Sequence, residues 1–254
     1  MKTAAETQAI LEALSHQHPD ADTELHFRNA FELLVATILS AQATDAGVNK
    51  VTPALFARFP DARALAAAEA AEVEALIHST GFFRQKARSL MGMSQALVER
   101  HGGAVPGTMD ALVKLPGVGR KTANVVLGHA LGVPGLPVDR HVLRVSNRLG
   151  IADSDDPDRV EQQLTGALPP AWWTRASDTL ILHGRRVCKP EPLCTRCVAA
   201  DACAFFGEAS RLPERAAPAR GARRAAAARP RGTGAAGTKP AAAPRKTSAK
   251  TGRR

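Results

Sequence analysis

A short glycine-rich stretch places an amine beside a turn that suits an anion. It reads Leu115-Pro116-Gly117-Val118-Gly119-Arg120-Lys121-Thr122-Ala123, with Lys121 two residues past the second glycine. Gly117 and Gly119 permit a tight turn with positive φ angles and leave the backbone N–H groups open to a ligand. A helix that follows the turn would direct its N-terminal dipole at the same place, which suits a phosphate of a nucleic acid. We therefore predict phosphate binding and lysine chemistry in one loop; the alternative is an ordinary connection between two helices.

The four cysteines of the chain form a second constellation. They are Cys188, Cys194, Cys197 and Cys203, separated by five, two and five residues. Four thiolates can hold one zinc ion tetrahedrally, or a 4Fe-4S cluster with one thiolate for each iron. Zinc ribbons generally use two Cys-x-x-Cys pairs and this chain has one, so the spacing favours iron-sulfur over zinc while leaving zinc open. Two disulfides are disfavoured because a large helical body without a signal segment does not fit a small secreted domain.

The elements that must position these residues are helices. Apolar residues recur at helical spacing through most of the chain before residue 211, and no segment alternates convincingly as a strand would, so we predict an all-α protein. The predicted helices span residues 30–39, 45–59, 84–99, 109–114, 122–131, 140–149, 157–168 and 171–187, with Pro53 as a candidate break in the second. Two prolines in residues 133–137 predict an extended or turned segment that leads to Asp139, whose position suits a helix N-cap.

The positive charge of the chain lies largely in its last 44 residues. The net charge is +10, yet residues 211–254 hold thirteen Lys and Arg against one acid, and residues 1–210 hold 21 basic and 23 acidic residues. We expect 211–254 to be a disordered basic tail that either attracts a polyanion or only adds solubility. A local patch remains around the hairpin, because residues 114–148 contain six basic residues and one acid. The patch, rather than the net charge, supports an anionic partner.

The order of these motifs resembles a known family. The hairpin, Val138-Asp139-Arg140-His141, and the four-cysteine loop occur in the order found in the endonuclease III family, base-excision DNA repair enzymes of the helix-hairpin-helix glycosylase superfamily. Residues 39–45 and Leu180-Ile181-Leu182-His183-Gly184-Arg185 support the resemblance, which covers roughly residues 25–205. It implies an N-terminal helical part of a cluster domain (1–24), a helical-barrel domain (25–135) that includes the hairpin (112–127), and a cluster domain (136–210) with the cysteine loop (188–203).

The resemblance also implies an activity and its residues. The catalytic lysine and aspartate of the family fall on Lys121 and Asp139, and a 4Fe-4S cluster on the four cysteines. The chain then looks like a bifunctional glycosylase and apurinic/apyrimidinic lyase that removes oxidised pyrimidines from double-stranded DNA and cleaves at abasic sites. A neutral lysine amine can attack the sugar C1′, expel the base and form a Schiff base that permits β-elimination. Expected DNA contacts come from the hairpin, the patch and two inserting residues: Gln42, Phe82, Gly117, Gly119, Arg120, Arg140, His141 and Arg144.

Several features depart from the family pattern. Phe82 stands where leucine is more common, and its alternative is core packing. Arg140 replaces a common threonine beside Asp139. The first cysteine gap is five residues where the family usually has six, so residues 189–193 must take a tighter path.

Two other functions compete with the lyase. The related adenine glycosylases share the hairpin and cluster but usually lack a lysine at position 121 and carry a further C-terminal domain, for which this tail is too short and polar. The second is a non-catalytic DNA-binding module with a structural metal. Residues 1–14 lack the apolar core of a secretory signal, and no apolar run approaches the ~20 residues of a membrane span, so we expect a cytoplasmic protein without membrane contact. We also expect it to be a monomer that associates with the nucleoid through DNA.

Overall fold

The computed structural model describes residues 1–209, and the predicted basic tail (211–254) lies outside the described residues. Within residues 1–209 the chain is helical and contains no strand, which confirms the all-α class. The helices are α1 (Ala4–Gln17), α2 (Ala30–Ser40), α3 (Asp45–Arg58), α4 (Ala62–Ala66), α5 (Ala70–Ile77), α6 (Phe83–His101), α7 (Met109–Leu112), α8 (Arg120–Ala130), α9 (Arg140–Leu149), α10 (Pro157–Ala167), α11 (Trp173–Arg186) and α12 (Ala204–Ala209). Short 3₁₀ turns occupy His78–Thr80, Pro170–Trp172, Cys194–Arg196 and Ala200–Ala202.

Side-chain caps explain where several of these helices begin. The Thr3 hydroxyl accepts from the Glu6 amide while Glu6 Oε2 accepts from the Thr3 amide at 2.8 Å, a capping box at the start of α1. Asn29 caps α2 by accepting from the Glu32 amide at 3.0 Å. Each cap satisfies backbone donors that have no partner within the helix, so polar residues at these positions fix the first turn.

Two expected helix boundaries differ from the structure in the region of the hairpin. The second hairpin helix begins at Arg120 rather than at residue 122, because Gly119 is extended (φ −95°, ψ 175°) and serves as the N-cap. The preceding helix α7 ends at Leu112, two residues before the predicted end. Lys121 consequently lies within the first turn of α8 instead of in the turn before it.

Proline has different effects at two places. Pro53 lies inside α3 without ending it, and its ring lies on the exposed face, where water can satisfy the carbonyl freed by the missing N–H. Pro170 instead opens the 3₁₀ turn before α11, so the helix predicted for residues 171–187 begins at Trp173. Helices α4 and α5 were not predicted, because their alanine-rich sequences have little apolar contrast.

The buried apolar residues form two clusters. The first is built by α2 to α8 and includes Leu34, Leu90 and Val126, all fully buried. The second is built by α1 and α9 to α11, together with residues near the cysteine loop, and includes Leu14 and Val145. The N-terminal helix therefore packs with elements more than 120 residues later in the chain. This partition is consistent with the proposed division into helical-barrel and cluster domains, whose boundaries stay a prediction.

Candidate active site and cysteine loop

The hairpin holds an unblocked helix N-terminus on the surface. Leu115 and Val118 are buried and anchor the turn, and the Val118 amide donates to the Leu115 carbonyl at 3.1 Å. Gly117 has φ of +76°, but the expected positive φ at Gly119 is wrong, since its backbone is extended. A Cβ on Gly117 would also lie 2.6 Å from Ser89 Cβ, so glycine is required there by both conformation and space.

No side chain caps α8. The first N–H groups of a helix have no partner inside it and carry a partial positive charge, so an exposed, uncapped N-terminus suits an anion. Gly119 offers no side chain that would obstruct the approach, and Lys121 is exposed in the adjoining turn. The geometry therefore fits the phosphate-binding role predicted for the hairpin.

Asp139 occupies the N-cap of α9. Its Oδ1 accepts from the His141 amide at 2.7 Å and from the Val142 amide at 2.8 Å. The capping function inferred from the sequence is therefore present, and it uses a single oxygen. Because both amides bind Oδ1, the cap fixes the carboxylate while Oδ2 is left out of it.

Lys121 and Asp139 line the same cleft. It is bounded by α2, α3, α8, α11 and the segments that precede α2 and α9. Other carboxylates line it as well: Asp22, Glu24, Asp45 and Asp178. Lys121 is exposed and can meet an anionic backbone, while the carboxylates of the cleft can stabilise a cationic reaction centre.

Arg185 links the carboxylates at one side of this cleft. Its guanidinium lies 2.7 Å from Glu24 Oε1 and 3.1 Å from Asp45 Oδ2. Arg185 comes from α11, whereas Asp45 begins α3, so the ion pairs connect elements of the two apolar clusters. The sequence contained Arg185 in a motif but offered no signal for these distant partners.

Part of the basic patch is compensated within the protein. Arg120 donates to Glu161 through Nε at 2.8 Å and Nη2 at 2.6 Å. Arg144 donates to the carbonyls of Cys188 and Gly184 at 3.1–3.2 Å and so supports the chain around the first cysteine. Their predicted DNA contacts stay predictions, and the structure adds a local structural role for each.

Arg140 and His141 lie beside Asp139 at the start of α9. Arg140 is exposed, while His141 is half-buried and its Nδ1 lies 3.1 Å from Arg144 Nη2. Burial lowers the pKa of His141, and the neighbouring arginines reinforce this against the opposing charge of Asp139. The ring is therefore neutral at pH 7 and accepts from Arg144.

Gln42 and Phe82 project from two turns with unusual backbone conformation. Both are exposed non-glycine residues with positive φ, and the core-packing alternative for Phe82 is wrong because the residue is 68% exposed. The adjacent Phe83 instead packs against the first apolar cluster and the His78 ring. Exposed side chains on strained turns are a common feature of ligand-contacting loops.

The four cysteines line one pocket whose surface is almost entirely apolar. All four are free thiols, so the disulfide alternative is not realised. Burial raises the pKa of the Cys194 and Cys197 thiols, and neighbouring cysteines raise it further. Thiolates collected in this apolar space would need a positive group between them, which a metal centre supplies.

The short first cysteine gap is closed by backbone and arginine contacts. The Leu193 amide donates to the Val187 carbonyl at 3.0 Å, and Arg148 donates to the carbonyls of Lys189 and Pro190 at 2.6 and 2.9 Å. Arg148 Nη1 also lies 3.6 Å from Cys188 Sγ. These contacts show how residues 189–193 follow the tighter path that the spacing requires.

Comparison with known proteins identifies the family. The HhH-GPD superfamily of base excision DNA repair proteins matches residues 35–170. Endonuclease III of Synechocystis sp. is 51% identical over 196 residues, which are 76% of this chain and 90% of that protein. The chain belongs to the endonuclease III family. As a member, it is a base-excision DNA glycosylase and lyase.

Further similarities extend over nearly the whole described chain. Endonuclease III of Rickettsia conorii is 42% identical over 198 residues, 78% of this chain and 94% of that one. A solved trapped covalent intermediate of an endonuclease III with DNA, an estranged-adenine complex, matches with a TM-score of 0.78 at 42% identity. The match covers 83% of this chain and all of that one. The helical fold is therefore that of the endonuclease III family.

One finding concerns membranes. No helix among residues 1–209 is long and apolar enough to cross a bilayer.

Proposed function

We propose that Lys121 is the nucleophile of a glycosylase and lyase acting on oxidised pyrimidines and abasic sites in double-stranded DNA. The observation that carries the proposal is the joint presence of Lys121 and Asp139 in one cleft, beside an uncapped helix N-terminus. The neutral Lys121 Nζ attacks C1′, the glycosidic C–N bond breaks, and the base leaves with the electron pair and gains a proton. The C1′–O4′ bond then breaks, O4′ keeps the electron pair and gains a proton, and loss of the amine proton leaves a Schiff base at C1′. Loss of a C2′ proton next breaks the C3′–O bond and releases the 3′ phosphate.

Asp139 stabilises the reaction centre. Its Oδ1 is fixed by two amides of α9, so the carboxylate enters the cleft in one orientation. A preorganised carboxylate lowers the energy of the positive charge that develops on the sugar as the base departs. The same group can accept a proton from the lysine amine.

The remaining DNA contacts follow from the surface of the hairpin and the two exposed turns. The Gly117–Gly119 turn and the first N–H groups of α8 bind a backbone phosphate, and Arg140 adds charge beside Asp139. Gln42 and Phe82 enter the space vacated when the damaged nucleotide leaves the stack, which offsets part of the unstacking cost. His141 and Arg144 lie on α9 close to Asp139, contact each other, and extend this basic surface toward the DNA backbone.

A 4Fe-4S cluster is held by Cys188, Cys194, Cys197 and Cys203. The five-two-five spacing of the cysteines and the mainly apolar lining of the pocket that they share support this assignment. When bound, the cluster supplies a covalent junction among the residues of the loop. His183, buried 3.6 Å from Cys197 Sγ, packs behind the loop and contacts His18 Nε2 at 3.0 Å through Nδ1.

Borohydride trapping tests the lysine assignment. Full-length protein is mixed with duplex DNA that contains one oxidised pyrimidine, and the Schiff base is reduced to a stable adduct. We expect an adduct with the wild-type chain and with Lys114→Ala, an exposed lysine of the same hairpin, but none with Lys121→Ala. An undiminished adduct in Lys121→Ala would contradict the proposal.

Metal analysis tests the cluster independently of the trapping. Protein purified without oxygen is expected to contain about four iron and four sulfide per chain. Zinc without iron or sulfide would favour a structural metal and remove the iron-sulfur assignment. The trapping result would be unaffected, so the two proposals fail separately.

A further inference from the structure

We propose that Asp22, His129 and Asp178 form a second metal site, which binds one divalent transition-metal ion of the zinc class. The three side chains come from separate parts of the chain: the segment between α1 and α2, the end of α8, and the first half of α11. One ligand atom from each lies within 4.8 Å of the other two. None of the three belongs to the hairpin or the cysteine loop.

The distances fit a small cation. His129 Nε2 lies 3.0 Å from Asp178 Oδ2 and 3.8 Å from Asp22 Oδ1. A tetrahedral zinc ion with bonds of about 2.0–2.2 Å to nitrogen and oxygen holds its ligand atoms about 3.4 Å apart. An ion between the three atoms therefore needs only small side-chain shifts.

The hydrogen bonds of His129 leave a position for the ion. Its Nδ1 lies 3.1 Å from the Val125 carbonyl, which can only accept, so Nδ1 carries a proton. In the neutral ring, Nε2 then presents a lone pair to two carboxylates that also only accept. This arrangement is stable when Nε2 is protonated or when a cation replaces that proton. A carbonyl that orients the second nitrogen is the usual partner of a metal-binding histidine.

The surroundings combine rigidity with access. The side chains of His129 and Asp178 are 7% and 9% exposed, whereas that of Asp22 is 76% exposed and can close over an arriving ion. Arg175 holds the segment before Asp22 by donating to the Ala21 and His18 carbonyls at 2.6 and 3.1 Å. An open cleft, lined by all three ligand residues, connects the site to solvent.

The ligand set indicates the class of ion. One imidazole and two carboxylates suit zinc and similar divalent transition ions, whereas magnesium and calcium prefer oxygen alone. The pKa of His129 agrees with a site that attracts positive charge: burial lowers it, but the hydrogen bond and charge of Asp178 outweigh burial and raise it overall. A metal ion competes with this proton, so ion binding releases it.

The site also bridges the two apolar clusters. His129 lies on α8 of the first and Asp178 on α11 of the second, and both also line the cleft that contains Lys121 and Asp139. An ion that binds the folded protein alone raises its stability in proportion to the logarithm of the ion concentration over Kd. We therefore expect zinc to raise the unfolding temperature.

Calorimetric titration with zinc chloride tests the site in full-length protein that retains its iron. Iron content is measured before and after, so that binding by released cysteines is detected. Wild type is expected to take up one zinc ion per chain. Asp22→Asn removes a direct ligand, so it should weaken zinc binding by at least about tenfold, which is the smallest effect typical of losing even an outer partner of a metal site. Asp20→Asn, a change to an exposed carboxylate two residues earlier, is the matched control and is expected to change affinity less than twofold.

The outcomes separate a metal site from a protonated histidine. Support requires a zinc-dependent rise in unfolding temperature at pH 7.5 that Asp22→Asn reduces and Asp20→Asn retains. His129→Gln is expected to abolish the rise; were it to unfold, Asp22→Asn, altered at an exposed side chain, would still decide the question. No zinc uptake, or equal uptake in wild type and Asp22→Asn, would overturn the proposal and leave a His129–Asp178 ion pair.

Discussion

Gln42 and Phe82 are the two non-glycine residues of the described chain with a left-handed backbone, at φ of 55° and 47°. A single buried ammonium lies between their turns. Lys86 Nζ donates to the Leu39 carbonyl and to the Thr80 carbonyl, each at 2.8 Å, and the residue is 5% exposed. Both carbonyls precede a left-handed residue by a few positions, so one side chain couples the two turns proposed to enter DNA.

Replacing Lys86 with methionine is expected to destabilise the protein and disturb both turns. The change leaves two carbonyls without their donor, which costs about 1–3 kcal/mol of unfolding free energy for each unsatisfied group. Burial lowers the pKa of Lys86, so part of this cost is offset by removal of a desolvated charge. Urea unfolding measures the stability, and DNA affinity is measured without urea, where the variant remains folded.

Lys114→Met is the control for Lys86→Met. Lys114 is exposed, and substitution there is expected to change stability by no more than about 0.5 kcal/mol. If Lys86→Met were as stable as this control and bound DNA as tightly as wild type, the coupling of the two turns through Lys86 would be wrong.

Phe82→Ala is expected to weaken binding to damaged DNA without destabilising the fold. The side chain is 68% exposed, so its removal loses little core contact. Stacking of an aromatic ring on a base contributes about 1–3 kcal/mol, which corresponds to roughly fivefold to 160-fold in Kd. Phe82→Leu, which retains an apolar wedge, should recover most of the affinity. A loss of unfolding free energy with unchanged Kd would instead assign Phe82 a structural role.

The parts of the site that could be predicted from sequence are those set by local chemistry. Asp139 follows Pro137 and Val138, and the helix it caps spans Arg140–Leu149 as predicted. The positive φ of Gly117 was also expected from the local sequence, although the same expectation for Gly119 is wrong. Such features depend on a few adjacent residues, whose backbone preferences and caps are strong.

The parts that could not be predicted depend on residues distant in sequence. Arg120 looked like a free cation of the basic patch, yet its partner Glu161 lies 41 residues later on α10. Lys86 was simply one polar position of a helix until its burial against α2 was known. A helical pattern defines which face is apolar, but it does not state which helix covers a given position.

The Arg120–Glu161 pair predicts a non-additive effect on stability. The Glu161 side chain is 10% exposed, so Arg120→Gln leaves a nearly buried carboxylate without its ion pair. Because the Arg120 side chain is 44% exposed, solvent screens part of the interaction, and we expect a loss of about 1–2 kcal/mol. The double variant Arg120→Gln with Glu161→Gln should be more stable than Arg120→Gln alone. Additive losses in urea unfolding would show that the two side chains are not coupled.

The two hairpin glycines predict different consequences for the same substitution. Gly117→Ala places a side chain at φ of +76° and 2.6 Å from Ser89 Cβ, so both backbone strain and overlap oppose it. Gly119→Ala meets nothing within 4 Å and has an extended backbone, so its cost is limited to a poorer N-cap. We expect Gly117→Ala to be less stable than Gly119→Ala by about 2 kcal/mol in urea unfolding.

DNA binding should be weakened by Gly119→Ala even though this substitution costs little stability. Gly119→Ala keeps the fold but adds a methyl group where a phosphate must approach the first amides of α8, so its Kd for duplex DNA should rise although unfolding changes little. Because one phosphate contact is lost, the slope of log Kd against log salt concentration should also become smaller. A Gly119→Ala protein with wild-type Kd and salt dependence would mean that the phosphate does not contact this end of α8.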